Sequence, residues 1–108
     1  MRLGARETII QKNSLANEIY CESSDLSVIE RHRHRYEVSP NYIDRIQEKG
    51  LVFSGQDTTG MRMEIVELSK NDHPFYFGTQ FHPEFTSKPH KPSPPFYRFI
   101  AVASGELL

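Results

Sequence analysis

The stretch Phe75-Tyr76-Phe77-Gly78-Thr79-Gln80-Phe81-His82-Pro83-Glu84-Phe85 decides how the rest of the chain is read. Residues 75–81 are almost wholly apolar or aromatic, which predicts a strand buried on both faces rather than one with an alternating, half-solvated pattern. Such a strand needs a covering layer on each side, so the neighbouring segments must supply them. A titratable pair, His82 and Glu84, follows the strand at once, with a proline between them. If the chain stays extended there, the two side chains project to the same side with Cα atoms about 6.5 Å apart. A carboxylate so placed can accept from one imidazole nitrogen and leave the other to act as a base, the logic of base and orienter in a nucleophile triad. Phe81 and Phe85 would keep the pair partly dry and its coupling strong. The plain alternative is a His and a Glu in a strand-to-loop turn with no chemistry, and spacing alone leaves both open.

Upstream, residues 51–55 and 61–68 alternate apolar with other positions around the turn Gln56-Asp57-Thr58-Thr59-Gly60, and read as an antiparallel pair with the second strand half-solvated. Before them, Ser39 fits a helix N-cap, Pro40 the first helical position and Gly50 the residue just past the end, with Ile43 and Ile46 three apart. Residues 7–11 read as a short strand, and residues 14–20 divide evenly between helix and loop. Downstream, residues 88–96 (KPHKPSPPF) read as a stiff proline-rich connector. A closing helix follows from about 95 to 103, with Phe96, Phe99, Ile100 and Ala103 at helical spacing and Gly105 as its stop. The class is α/β, in a single domain.

Composition narrows the function. Of the 108 residues, 27 are Val, Ile, Leu or Phe, which is globular rather than disordered material. The net charge of −1 offers no excess to draw the chain to nucleic acid or anionic lipid. Neither a long apolar run nor a secretory leader pattern occurs, so a cytoplasmic, membrane-free protein is expected. Cys21 is the one cysteine, which excludes an internal disulfide and a thiolate-rich zinc site. Its setting, Ile19-Tyr20-Cys21-Glu22-Ser23, lacks the small neighbours that a strained nucleophile elbow needs, so Cys21 is read as an incidental thiol.

The block Arg31-His32-Arg33-His34-Arg35-Tyr36 has three readings: a solvated basic loop, a phosphate contact, or a loop setting one arginine against a small carboxylate. Glu30 and Glu37 cancel much of its field, which disfavours nucleic acid. Histidines two apart make a weak metal site without further ligands. An arginine fork on a carboxylate is physically reasonable.

With MRLG, ERHRHRYEV, MEIVEL, FHPEF and KPSPPF in this order, the sequence resembles the C-terminal end of the CTP synthase family, within its class I glutamine amidotransferase domain. The resemblance covers almost the whole chain and implies that residues 1–108 are the C-terminal portion of that domain, part of a mixed sheet flanked by helices. It implies a glutaminase in which a cysteine thiolate attacks the side-chain amide of glutamine, with His82 as base, Glu84 orienting it and Arg35 holding the substrate glutamine. The ammonia would aminate UTP to CTP at a separate synthase domain that uses ATP and magnesium, with GTP promoting the glutaminase step. No cofactor is expected within this segment, and homo-oligomers are expected of the full-length protein. In the family the cysteine elbow and oxyanion hole lie upstream of the MRLG segment, so the isolated 108 residues are expected to be inactive. A catalytically dead remnant serving as an interaction module is the alternative, and an amidotransferase subunit of another biosynthetic enzyme a third reading, disfavoured by the RHRHRY block.

Overall fold

In the computed structural model, residues 2–20, 26–34, 36–69 and 71–105 are described. They form five strands and three α-helices in the order β1 (Arg2–Ile10), α1 (Leu15–Ile19), β2 (Ser27–His34), α2 (Ile43–Glu48), β3 (Val52–Gln56), β4 (Met63–Glu67), β5 (Phe77–Thr79) and α3 (Pro94–Ala103). One sheet runs β2-β1-β3-β4-β5. Every ladder among the described residues is antiparallel, including the expected β3–β4 pair. Of the mixed sheet that the resemblance implies, this portion is the antiparallel part.

Local signals account for most of these elements. Ser14 caps α1 by accepting from the Asn17 amide. That resolves the even choice over residues 14–20 in favour of helix. Ser39 and Pro40 do begin a helical segment, but its first turn, Pro40–Tyr42, is a 3-10 turn that passes into α2. Gly50 follows with φ of 107°, the left-handed conformation expected of it. The strand read over residues 7–11 extends back to Arg2, because β2 pairs along its whole length from Arg2↔His34 to Ile9↔Ser27.

Three expectations need correcting. The basic block is strand from Arg31 to His34: β2 buries Glu30 and His32 and exposes Arg31 and Arg33. Its alternation was the signal, but histidine and glutamate on the inner face hid it from a hydropathy reading. The strand covered on both faces is β4, in which Met63, Glu64, Ile65 and Glu67 are all buried. It lies inside the sheet, whereas β5 is a three-residue edge strand of intermediate burial. Finally, α3 buries Pro95 and Ala101 and turns Phe96, Phe99 and Ile100 outward. It is held to α1 instead by Arg98, which donates to the Glu18 carbonyl at 3.3 Å.

The core is Ile10, Leu15, Ala16, Ile19, Tyr20, Ile65 and Phe81, with Val28, Phe75 and Phe77 packed against it. The sheet curls around this core. β3 is irregular on either side of Gly55 where it pairs with β4, and such bulges bend a strand and increase its twist. Gly55 also faces Ile65 so closely that a Cβ there would lie 2.6 Å from Ile65 Cδ1 and 2.8 Å from its Cβ. The curl brings non-adjacent strands together: Thr8 on β1 donates to Glu64 on β4 at 2.6 Å. Beyond β5 the chain reaches β2 itself, where the His82 amide donates to the Arg31 carbonyl at 2.8 Å.

Buried carboxylates tie this arrangement together, and each has donors, as a charge taken out of water requires. Glu67 accepts from the Leu15 and Ala16 amides at 2.8 and 3.1 Å, supplying negative charge where the free N–H groups of α1 emerge. Glu64 takes the Thr8 hydroxyl and lies 3.8 Å from His32 Nε2.

Candidate active site

Phe81 is buried in the core, so the chain emerging from it is anchored at its first residue. His82 precedes a proline and takes φ −110°, ψ 89°, consistent with the steric bias of a residue in that position. Pro83 then opens a 3-10 turn, Pro83–Phe85, a position for which its fixed φ is suited. The sequence spacing predicts an extended segment here, and the structure has a tight turn. The outcome for the pair is a direct contact, since the turn brings Glu84 Oε2 to 2.8 Å from His82 Nδ1.

The other sides of the imidazole are defined as well. Phe85 stacks on it, with ring centroids 4.9 Å apart and an interplanar angle of 27°. The His82 side chain remains 36% exposed, so the ring is held yet accessible. The pair borders a cleft of about 500 Å³ whose other walls include Phe75, Phe77, Phe81, Pro95 and Phe96. A neutral imidazole with a carboxylate on Nδ1 donates there and presents its other nitrogen as a proton acceptor, the arrangement of an oriented general base.

The hydrogen bond to His82 is the main reason that the Glu84 carboxyl is held below the usual carboxylate range, with a backbone hydrogen bond second. A carboxylate whose pKa is depressed on folding contributes stability that is present above its unfolded pKa and lost as pH falls through the folded one. The stabilising contribution of the pair is thus present at neutral pH and fades as pH falls below the ordinary glutamate range. We expect a ¹³C NMR titration of the Glu84 carboxyl in the whole polypeptide to give a midpoint below that range, moving upward in His82→Ala. A midpoint in the ordinary range for the unsubstituted protein would show that the bond does not persist in solution.

The remaining residues singled out in the sequence divide into two groups. Arg35 and Cys21 lie outside the described residues. His32 and His34 contact one another, Nδ1 to Nε2 at 3.0 Å, and His32 packs edge-on against Phe81. Among the described residues no group of three or more His, Cys, Asp or Glu side chains could hold a metal ion. Sequence reasoning passed over Thr86 and the inward role of Glu30, which the fold joins by a 2.9 Å hydrogen bond. Glu30 also accepts from Tyr20 Oη at 2.7 Å. Burial, followed by the Glu30 charge, pushes the Tyr20 phenol far up, so it stays protonated and remains a donor. The Gln80 amide donates to the Tyr36 carbonyl at 2.9 Å, a second link between the end of the β2 segment and the chain entering the site.

The profile of the glutamine amidotransferase class-I family matches residues 2–102. The chain belongs to the class-I glutamine amidotransferase family. Within that family it aligns with the C-terminal glutaminase part of CTP synthases. It is 54% identical over 103 residues to CTP synthase of Archaeoglobus fulgidus, covering 95% of this chain and 18% of that protein. It is 60% identical over 100 residues to CTP synthase of Natronomonas pharaonis, with 93% and 17% covered. It is also 51% identical over 108 residues to human CTP synthase 1, with 99% and 18% covered. The glutaminase domain of Trypanosoma brucei CTPS, solved with bound acivicin, superposes with a TM-score of 0.88 at 39% identity, over all of this chain and 41% of that one. The chain thus spans under a fifth of the length of these CTP synthases. No helix among its described residues is long and apolar enough to cross a membrane.

Proposed function

We propose that this chain carries the base and the orienting carboxylate of the glutaminase in a CTP synthase, as the C-terminal portion of the amidotransferase domain. The observation that carries the reading is the 2.8 Å bond between His82 Nδ1 and Glu84 Oε2 on a turn anchored at both ends. His82 would take the proton of a cysteine thiol supplied by the part of the domain beyond this chain. The thiolate adds to the side-chain amide carbon of glutamine, and His82 returns the proton to the departing nitrogen as the C–N bond breaks and ammonia leaves. The resulting thioester is hydrolysed by water that loses its proton to the same imidazole, giving glutamate and the free thiol. Glu84 holds the tautomer and stabilises the imidazolium formed in each half.

Arg35 would pair with the α-carboxylate of glutamine through its planar fork. The ammonia would pass to a synthase domain for ATP- and magnesium-dependent amination of UTP to CTP. The described residues offer no cluster for that metal, so its ligands would come from elsewhere in the polypeptide. Assembly as a homo-oligomer and promotion by GTP would likewise belong to the whole protein.

The test uses the whole natural polypeptide that contains these residues, supplied with UTP, ATP, magnesium and glutamine. CTP and glutamate are expected in equal amounts. Glutamate without CTP would point to an amidotransferase serving another acceptor, and neither product would overturn the reading.

A further inference from the structure

We infer that Glu30 is a positioning residue for the His82–Glu84 pair, acting through Thr86; this rests on the glutaminase reading above. The turn that carries the pair is held by two consecutive residues of β2. The His82 amide, at the start of the turn, donates to the Arg31 carbonyl at 2.8 Å. The Thr86 hydroxyl, just past its end, lies 2.9 Å from Glu30 Oε1 and 3.1 Å from the Pro83 carbonyl. One hydroxyl proton goes to one acceptor at a time, and the charged, nearer carboxylate is the stronger.

Glu30 is itself buried and tied to the core. Its other oxygen takes the Tyr20 hydroxyl at 2.7 Å, and Tyr20 belongs to the hydrophobic core. A rigid path therefore runs from the core through Tyr20, Glu30 and Thr86 to the far end of the turn. Between the two clamps Pro83 is buried, while Glu84 and Phe85 are exposed. Without the Glu30 tether the turn would keep its start, held by the Arg31 carbonyl and by buried Pro83, and its own short backbone bonds, Phe85 to His82 and Thr86 to Pro83, but its far end would lose its tie to β2. A base displaced by about 1 Å from its reacting partner loses on the order of a hundredfold in rate. Among the described residues the donors to buried Glu30 are neutral hydroxyls, a poor route to stability, which fits a role in geometry better than one in the core.

The experiment compares Glu30→Gln, Thr86→Val, Thr86→Ser and the double variant Glu30→Gln/Thr86→Val in the whole polypeptide. For each, kcat and KM for glutamine hydrolysis are measured beside the rate of ammonia-dependent CTP formation. Glu30→Gln and Thr86→Val should each lower glutaminase kcat about tenfold to a hundredfold. KM should stay within about twofold, because neither residue is proposed to contact glutamine. Thr86→Ser keeps the donating hydroxyl and should recover most of the rate. The double variant should lose no more than the worse single one, since both break the same link. If Glu30→Gln fails to fold, the contrast between valine and serine at position 86, on the protein surface, decides alone. Losses that multiply in the double variant, a kcat unchanged in both single variants, or equal defects in serine and valine would overturn the inference. Absence of glutamine hydrolysis in the unsubstituted polypeptide would instead overturn the glutaminase reading, and this inference with it.

Discussion

Replacing His82 by alanine in the whole polypeptide is expected to lower glutamine-dependent CTP formation at least about a thousandfold and to leave ammonia-dependent formation within a factor of about two. The size follows from the successive proton transfers that the imidazole would serve in both halves of the reaction, none of which has a substitute among the described neighbours. Glu84 lies behind the ring, on Nδ1, and a carboxylate is too weak a base to deprotonate a thiol efficiently. The selectivity follows because free ammonia bypasses glutamine hydrolysis. The substitution should do little to the fold. Glu84 is 51% exposed, so water replaces the lost donor, and an exposed pair of this kind contributes little to stability. Loss of both activities would show that the histidine is needed for structure rather than for proton transfer. Retention of both would remove His82 from the reaction.

Ile65→Ala should produce the opposite pattern, a large loss of stability with no defect specific to one chemical step. Ile65 is 1% exposed, belongs to the core cluster and sits on the strand covered on both faces. Removing a buried isoleucine to its Cβ costs about 2–5 kcal/mol, from lost transfer energy and from the cavity left behind. Against a total of about 5–15 kcal/mol for a domain, that is a large fraction. The neighbourhood places the cost near the upper half of the range. Gly55 contributes no side chain to fill the space, and the bulged β3 backbone already lies against Ile65. The urea midpoint of the transition in which the amidotransferase portion unfolds measures the effect. A change below about 1 kcal/mol would mean that the curl collapses onto the space and is softer than its packing indicates.

The same contact yields a check by compensation. Gly55→Ala drives a methyl into Ile65, whose Cβ cannot swing away, and overpacking of this kind costs about 1–3 kcal/mol. The two substitutions combined should cost less than their sum, because each provides the room or the volume that the other lacks.

Much of the chain was legible without the fold. Ser39 and Pro40 mark a helix beginning, Gly50 marks an end, and the alternation around residues 56–60 marks an antiparallel hairpin. These signals act within one or two turns of the backbone, so they survive whatever the tertiary context does. His82 and Glu84 were also visible as a pair, since two positions separated by one proline remain close in any conformation the chain adopts there. The extended shape assigned to them was wrong, and the contact came from a turn instead.

Burial was less legible, because it depends on where a strand sits in the sheet. Residues 75–81 have the composition of an interior strand, yet β5 is short and at the edge. Residues 61–68 look half-solvated, yet β4 is interior, and Glu64 and Glu67 are buried because the Thr8 hydroxyl and the α1 amides are brought to them. The basic block concealed a strand for the same reason: its inward residues are polar and acquire partners only on folding. By itself the sequence determined the family, the ends of the helical segment after Ser39 and the adjacency of His82 and Glu84, all of which are properties of short range or of residue identity. Only the tertiary structure decided which carboxylates are inside and that residues 30 and 31 clamp residues 82 and 86. That contact spans some fifty residues of chain, and it exists because a bulge at Gly55 curls the sheet until the end of β5 meets β2.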